Sequence, residues 1–219
     1  MNRQSLVLSL LALLTGAALT TGGLLSRRTD AQSSMPMMDH SQMDHSSMGM
    51  MQMDLGPADA AFDLRFIDGM IPHHQGAVIM AQEALEKSQR SEIKQLAQAI
   101  IDAQEKEIQQ MQAWRKAWYP DAPAEAQMWD PGMGHMMAMS SEMMASMRMD
   151  QSLGAADDQF DRRFIDAMIP HHEAALVMAK DAQQKSQRPE IKTLAQAILD
   201  SQQAEIDQMK AWRKAWYNQ

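Results

Sequence analysis

The chain has 219 residues, a formal charge of −8, 24 methionines and no cysteine. That acidity, with no basic stripe and no aromatic stacking platform, excludes a nucleic-acid partner. The missing cysteines exclude a disulfide framework, so the fold rests on its apolar core and any soft-metal site must use thioether sulfur.

Residues 1–25 read as an export signal. Arg3 supplies the positive start, Leu6 to Leu19 form a leucine- and alanine-rich run, and small residues follow at Thr20 to Gly23. The run is short for a spanning helix, which favours cleavage; Leu24 and Leu25 lengthen it, and retention would leave a membrane anchor. The mature chain is expected in the periplasm or outside the cell. Membrane contact is expected only if this segment stays uncleaved.

Residues 26–57 form a Met/His-rich tail. Met-Asp-His occurs twice, at Met38, His40 and again at Met43, His45, among serine, glycine and proline. Such composition cannot build a packed core and predicts disorder. Methionine often serves as a flexible core filler or a sticky surface. Neither role explains why unfolded sequence alternates it with histidine, so soft-metal capture is the sharper reading.

Two units follow, residues 58–119 and 157–219, separated by a Met-rich linker at 120–156. Residues 62–119 align with 160–217 without a gap, and 40 of the 58 positions are identical. The chain therefore contains a duplicated supersecondary unit. Each unit reads as two helices. Phe62, Phe66, Met70, His73, Ala77, Met80 and Ala84 step by four and three, as does the second stripe of Leu96, Ile100, Ala103, Glu107, Met111, Trp114 and Trp118. Lys87-Ser88-Gln89-Arg90 breaks the pattern, and Pro189 marks the first position of the matching helix in the second unit. One hairpin cannot bury both faces, so the economical solution is an all-α four-helix bundle made from both units. Two separate domains, or pairing between chains, are the other arrangements. Pro72 and Pro170 remove a helical donor, so each helix is expected to bend or restart there.

The linker repeats the tail's theme with Met133, His135, Met136, Met137 and Met139, then Met143, Met144, Met147 and Met149. It is a second candidate for soft-metal capture.

Met-Ile-Pro-His-His occurs at 70–74 and again at 168–172. Folding each hairpin about its turn sets His73 opposite Glu107 and Met70 near Met111; the second unit sets His171 opposite Glu205 and Met168 near Met209. Buried histidine and carboxylate must be paired or metal-bound. A lone pair of this kind is ordinarily structural. Here His74, His172 and the stripe methionines add soft and borderline donors, twice. Thioether with imidazole suits Cu(I), and histidine also holds Cu(II). Zinc would recruit cysteine or a closed tetrahedron. A di-iron centre would need more carboxylates and Glu-x-x-His spacing; Asp68 and Asp166 fall off the stripe and are expected at the surface. No nucleophile–base pair stands out, so the reading is not an enzyme. The expected role is to hold or pass on copper, with a copper efflux or delivery protein as partner. A ferritin-like oxidase or peroxide-handling enzyme, and a metal-free Met-rich interaction protein, are the alternatives.

The run from Phe66 through Met70, His73 and His74 to Ala81, with Gln104-x-x-Glu107-Ile108-x-x-Met111-x-x-Trp114, resembles the DUF305 family, and the second unit repeats it. The resemblance implies a ferritin-like helical bundle, and exported members imply periplasmic copper binding and copper tolerance. It carries to Met70, His73, His74, Met168, His171 and His172. Gln75-Gly76 becomes Glu173-Ala174 in the second unit, so the two sites need not be equivalent.

Overall fold

The computed structural model describes residues 54–218, so the leader and the tail residues Met38, His40, Met43 and His45 lie outside the described residues. The first unit is α1 (Phe62–Lys87) and α2 (Ser91–Trp118). The second is α4 (Phe160–Lys185) and α5 (Pro189–Tyr217). Between them the linker folds into β1 (Gln127–Asp130), β2 (His135–Ala138) and α3 (Ser141–Arg148). No described helix is long and apolar enough to cross a membrane.

Both turns fall where the apolar period fails. Ser88 and Ser186 are buried, and each hydroxyl accepts from the main-chain N–H two residues on, at 3.1 Å. Neither long helix restarts at proline. α1 runs unbroken through Pro72 and α4 through Pro170, because packing along the whole stripe outweighs one missing hydrogen bond.

The two hairpins form one bundle. α1 packs on α2 and on α4, and α4 packs on α5. The apolar contacts show α1 and α4 running in opposite directions. Phe62, Phe66 and Met70 share a core with Met178, Ala179 and Ala182, while Phe160, Phe164 and Met168 share another with Met80, Ala81 and Ala84. Each end of the bundle thus has its own apolar core, and the midpoints of α1 and α4, at the histidines, lie between them.

The turns clasp the opposite hairpin. Arg90 lies 4.2 Å from the Trp216 ring centroid and 3.4 Å from Asp161; Arg188 repeats this on Trp118, at 4.2 Å, and Asp63, at 3.6 Å. Lys87 donates to the Gly154 carbonyl at 2.7 Å and Lys185 to Gly56 at 2.9 Å. These reciprocal contacts settle the choice between separate domains and a joint bundle.

The linker breaks the symmetry. β1 and α3 both pack on α1, and Met128, Met139 and Met147 are buried in that core. Those three thioethers are core filler rather than free capture groups. Ser140 caps α3 by accepting from the Met143 N–H, and Met149 leaves the helix in the left-handed region at φ 50°. Asp68, expected at the surface, is 2 % exposed, because β1 covers it: Arg115 donates to its carboxylate, as does the Gln127 N–H at 2.8 Å. Asp166 is exposed as expected.

Candidate metal centre

Pro72, His73 and His74 are all buried at the middle of α1. All four histidines of the two motifs are buried, at 0 or 1 % exposure. They belong to one layer rather than two separate sites. The His73 and His171 rings meet edge to face across the hairpin boundary, with centroids 3.9 Å apart and planes at 88°. The His171 and His172 ring centroids are 6.2 Å apart.

Facing carboxylates differ from expectation by one residue. His74, not His73, meets Glu107, with Nε2 to Oε2 at 2.7 Å. His172, not His171, meets Glu205 at the same distance. Adjacent helical residues point about 100° apart, so the register was right to a turn while the side chain was not. His73 and His171 instead point between the hairpins. Glu107 also lines a groove of about 540 Å³ between α2 and α5, beside Lys106, Gln110 and Trp114. The carboxylate therefore lies between solvent and the buried ring.

A carboxylate only accepts, so Nε2 of His74 and of His172 carries the hydrogen. In the neutral ring the lone pair is then on Nδ1. Nδ1 is buried and without a hydrogen-bond partner among the described residues in both rings. Nε2 of His171 bonds the Arg148 main-chain carbonyl at 3.0 Å, which leaves its Nδ1 in the same condition. His73 has neither nitrogen partnered. Burial first, and the neighbouring His74 second, push His73 down to about 3. Burial, then His73, push His171 well below the ordinary imidazole value. Both rings are neutral at pH 7.

Each unpartnered buried polar atom costs on the order of 1–3 kcal/mol, and native interiors hold few of them. Five such imidazole nitrogens sit in this one layer. Sequence reasoning also missed two buried polar side chains. Gln104 and Gln202 are 3 % exposed, one turn before Glu107 and Glu205, and each has an unpartnered buried Oε1. The signal was the repeated Gln-x-x-Glu; Ala103, assigned to the stripe in its place, is exposed.

The methionines are placed differently. Met70 and Met111 are fully buried in one apolar core, and Met168 and Met209 in the other, flanking the histidine layer. His135 is exposed on β2, paired across the ladder with Asp130, outside the layer. Among the described residues no three His, Asp or Glu side chains close into a finished metal cage. What the layer offers is a set of buried imidazole nitrogens, three of the rings held from behind, bordered by thioethers.

Duplicated helical hairpins joined through a buried histidine layer define a class of bundle. The chain matches the family described as Domain of unknown function (DUF305) over residues 63–213, and it belongs to that family. Among solved structures it is similar to CopM in the Cu(II)-bound form, at 41% identity and a TM-score of 0.58, covering 71% of this chain and 97% of that one. CopM in the Cu(I)-bound form is similar at 39% identity and a TM-score of 0.56, over the same shares. A DUF305 fragment from Deinococcus radiodurans matches at 31% identity and a TM-score of 0.50, covering 71% of this chain and 96% of the fragment. A protein of Acanthamoeba polyphaga mimivirus, described as uncharacterized, is 41% identical over 51 residues. That stretch is 23% of this chain and 34% of the viral protein.

Proposed function

We propose that the chain is an exported copper-binding protein that sequesters copper or hands it on, and that it carries copper rather than catalysing a reaction. The observation that carries this reading is the histidine layer. Four buried rings lie between two apolar cores, three of them with Nε2 engaged from behind and Nδ1 left over. A ring braced in this way by a carboxylate or carbonyl is how proteins orient imidazole toward a metal. CopM, with which the fold and 41% of aligned residues are shared, was determined with Cu(I) and with Cu(II) bound. The donor set favours Cu(I), which is satisfied by two or three soft or borderline donors and does not need a closed cage of carboxylates.

In this reading the tail, with Met38, His40, Met43 and His45, and the exposed part of the linker around His135, collect the ion. The bundle then retains it at His73, His74, His171 and His172. Glu107 and Glu205 brace the rings and attract the cation at the surface. Met70, Met111, Met168 and Met209 are the thioethers within one turn. The leucine-rich leader supports export, and a copper efflux or delivery protein is the expected partner. An oxidase of the ferritin type would need a carboxylate-rich centre, and among the described residues only Glu107 and Glu205 bond these rings.

Metal content of the purified full chain, measured by mass spectrometry, and Cu(I) titration against a chromogenic chelator test the proposal. The expected result is tight Cu(I) binding that disappears when His73, His74, His171 and His172 are all replaced by alanine, with weak binding left in the tail. A chain that stays metal-free throughout the titration refutes the reading. Iron with oxygen consumption would replace it by the oxidase.

A further inference from the structure

Among the described residues, one main-chain group of the linker is hydrogen-bonded to a ring of the histidine layer. α3 ends at Arg148, Met149 turns the chain in the left-handed region, and the Arg148 carbonyl accepts from His171 Nε2 at 3.0 Å. This approach runs over Gly76 of α1. A Cβ at Gly76 would lie 1.8 Å from the Arg148 carbonyl oxygen, so only glycine admits the linker there. The second unit has Ala174 at the equivalent position, half-buried against an apolar core. The duplication has therefore kept the rings and changed the one residue that lets a main-chain carbonyl touch them.

We infer that the Arg148 carbonyl, admitted by Gly76, is a positioning group of the metal centre: it fixes His171 as an Nδ1 donor and leaves His73 free to adapt. A carbonyl cannot donate, so the hydrogen of the His171 ring is held on Nε2 and the lone pair on the buried Nδ1. His73, 3.9 Å away across the hairpin boundary, has no such partner among the described residues and can present either nitrogen. A soft monovalent cation taken between the hairpins is then held on His171 Nδ1, and His73 turns to meet it. The tautomer stands on geometry alone; the metal half rests on the copper reading above.

The test uses the full chain with nitrogen-15 in its histidine rings and Ag(I), a diamagnetic spin-½ mimic of Cu(I). In the metal-free wild type, His171 is expected to show a protonated Nε2 and a bare Nδ1. Added Ag(I) should give nitrogen–silver coupling at His171 Nδ1. A hydrogen on Nδ1, or coupling at Nε2, overturns the inference without any variant. Gly76→Ala should release the tautomer and weaken Ag(I) binding roughly 10- to 100-fold, the usual effect of losing a bracing partner. Arg148→Ala keeps the carbonyl and should match wild type in both readouts, which a role for the guanidinium would not. Gly76→Ala with unchanged tautomer and affinity overturns the inference. A wild type that shows the locked tautomer yet takes up neither Ag(I) nor Cu(I) supports the positioning and refutes the copper reading.

Discussion

The two hairpins share 40 of 58 aligned residues, yet matching side chains live in different surroundings. Arg65 and Arg163 make the same contacts: each donates to a leucine carbonyl at 2.6 Å, to a second carbonyl at 2.7 Å, and to an aspartate two residues further on. The Arg65 side chain is nevertheless fully buried, whereas that of Arg163 is 36% exposed. The difference is Trp129 of β1, whose ring centroid lies 5.4 Å from the Arg65 guanidinium. Asp68 and Asp166 differ for the same reason. Identity between repeats fixes which bonds form, and the linker decides which of them are dry.

Acid should strike first where the halves are most alike. His73 and His171 are held neutral by burial, with His73 pushed to about 3 and His171 well below its ordinary value. The unfolded chain takes up these protons near 6.5 and the folded chain does not. Their contribution to stability is therefore complete above about pH 6.5 and is lost as pH falls below it, for His73 down to about 3. Each pH unit below 6.5 costs about 1.4 kcal/mol per ring. Urea midpoints of the metal-free chain should fall steadily from pH 7 to pH 4, and a His73→Gln variant should fall less steeply. An equal slope in that variant would show that His73 protonates freely in the folded bundle.

The second test separates the halves. Asp68 is buried and bonded to Arg115 and to the Gln127 N–H, while Asp166 meets Arg162 at 3.4 Å and Arg213 at 3.2 Å with its side chain 40% exposed. Asp68→Ala removes the acceptor of the Arg115 Nε–H and of the buried Gln127 N–H, leaving Arg115 its two linker carbonyls, and should cost about 3 kcal/mol. Asp166→Ala should cost about 0.5 kcal/mol or less, because water screens both pairs. Equal losses by chemical denaturation would mean that β1 does not shield Asp68 in solution.

Much of this was legible in the sequence, and what escaped has a common cause. The four long helices, both turns and the start at Pro189 follow from apolar period and polar interruption, which are local. The His–Glu facing was predicted to within a turn and missed by one residue, since antiparallel counting cannot resolve a rotation of about 100°. The meeting of His73 with His171 depends on how one hairpin lies on the other, which no stripe on a single helix encodes. The burial of Asp68 and the role of Gly76 both depend on the linker, whose methionines suggested unfolded capture while three of them were needed as core. The change from Gly76 to Ala174 was visible as a departure between repeats, but its reason lies in a carbonyl 72 residues away. Tail residues such as His40 and His45 fall outside the described residues, so their assignment stays with the sequence.

The smallest effect probes what the halves give each other. Arg90 and Arg188 stack on tryptophans of the opposite hairpin and face Asp161 and Asp63, with side chains 42% and 39% exposed. A half-exposed cation–π contact with a loose ion pair contributes about 1 kcal/mol. Because the clasps sit at opposite ends and share no partner, Arg90→Ala and Arg188→Ala should cost nearly the same, and the double variant should cost their sum to within about 0.5 kcal/mol. β1 and α3 pack on α1, so matched losses would show that the linker's asymmetry stops short of the clasps. A loss at Arg188 more than twice that at Arg90 would carry the asymmetry to the ends of the bundle. Strong non-additivity would mean that the clasps communicate through the histidine layer between them, which the separate apolar cores argue against.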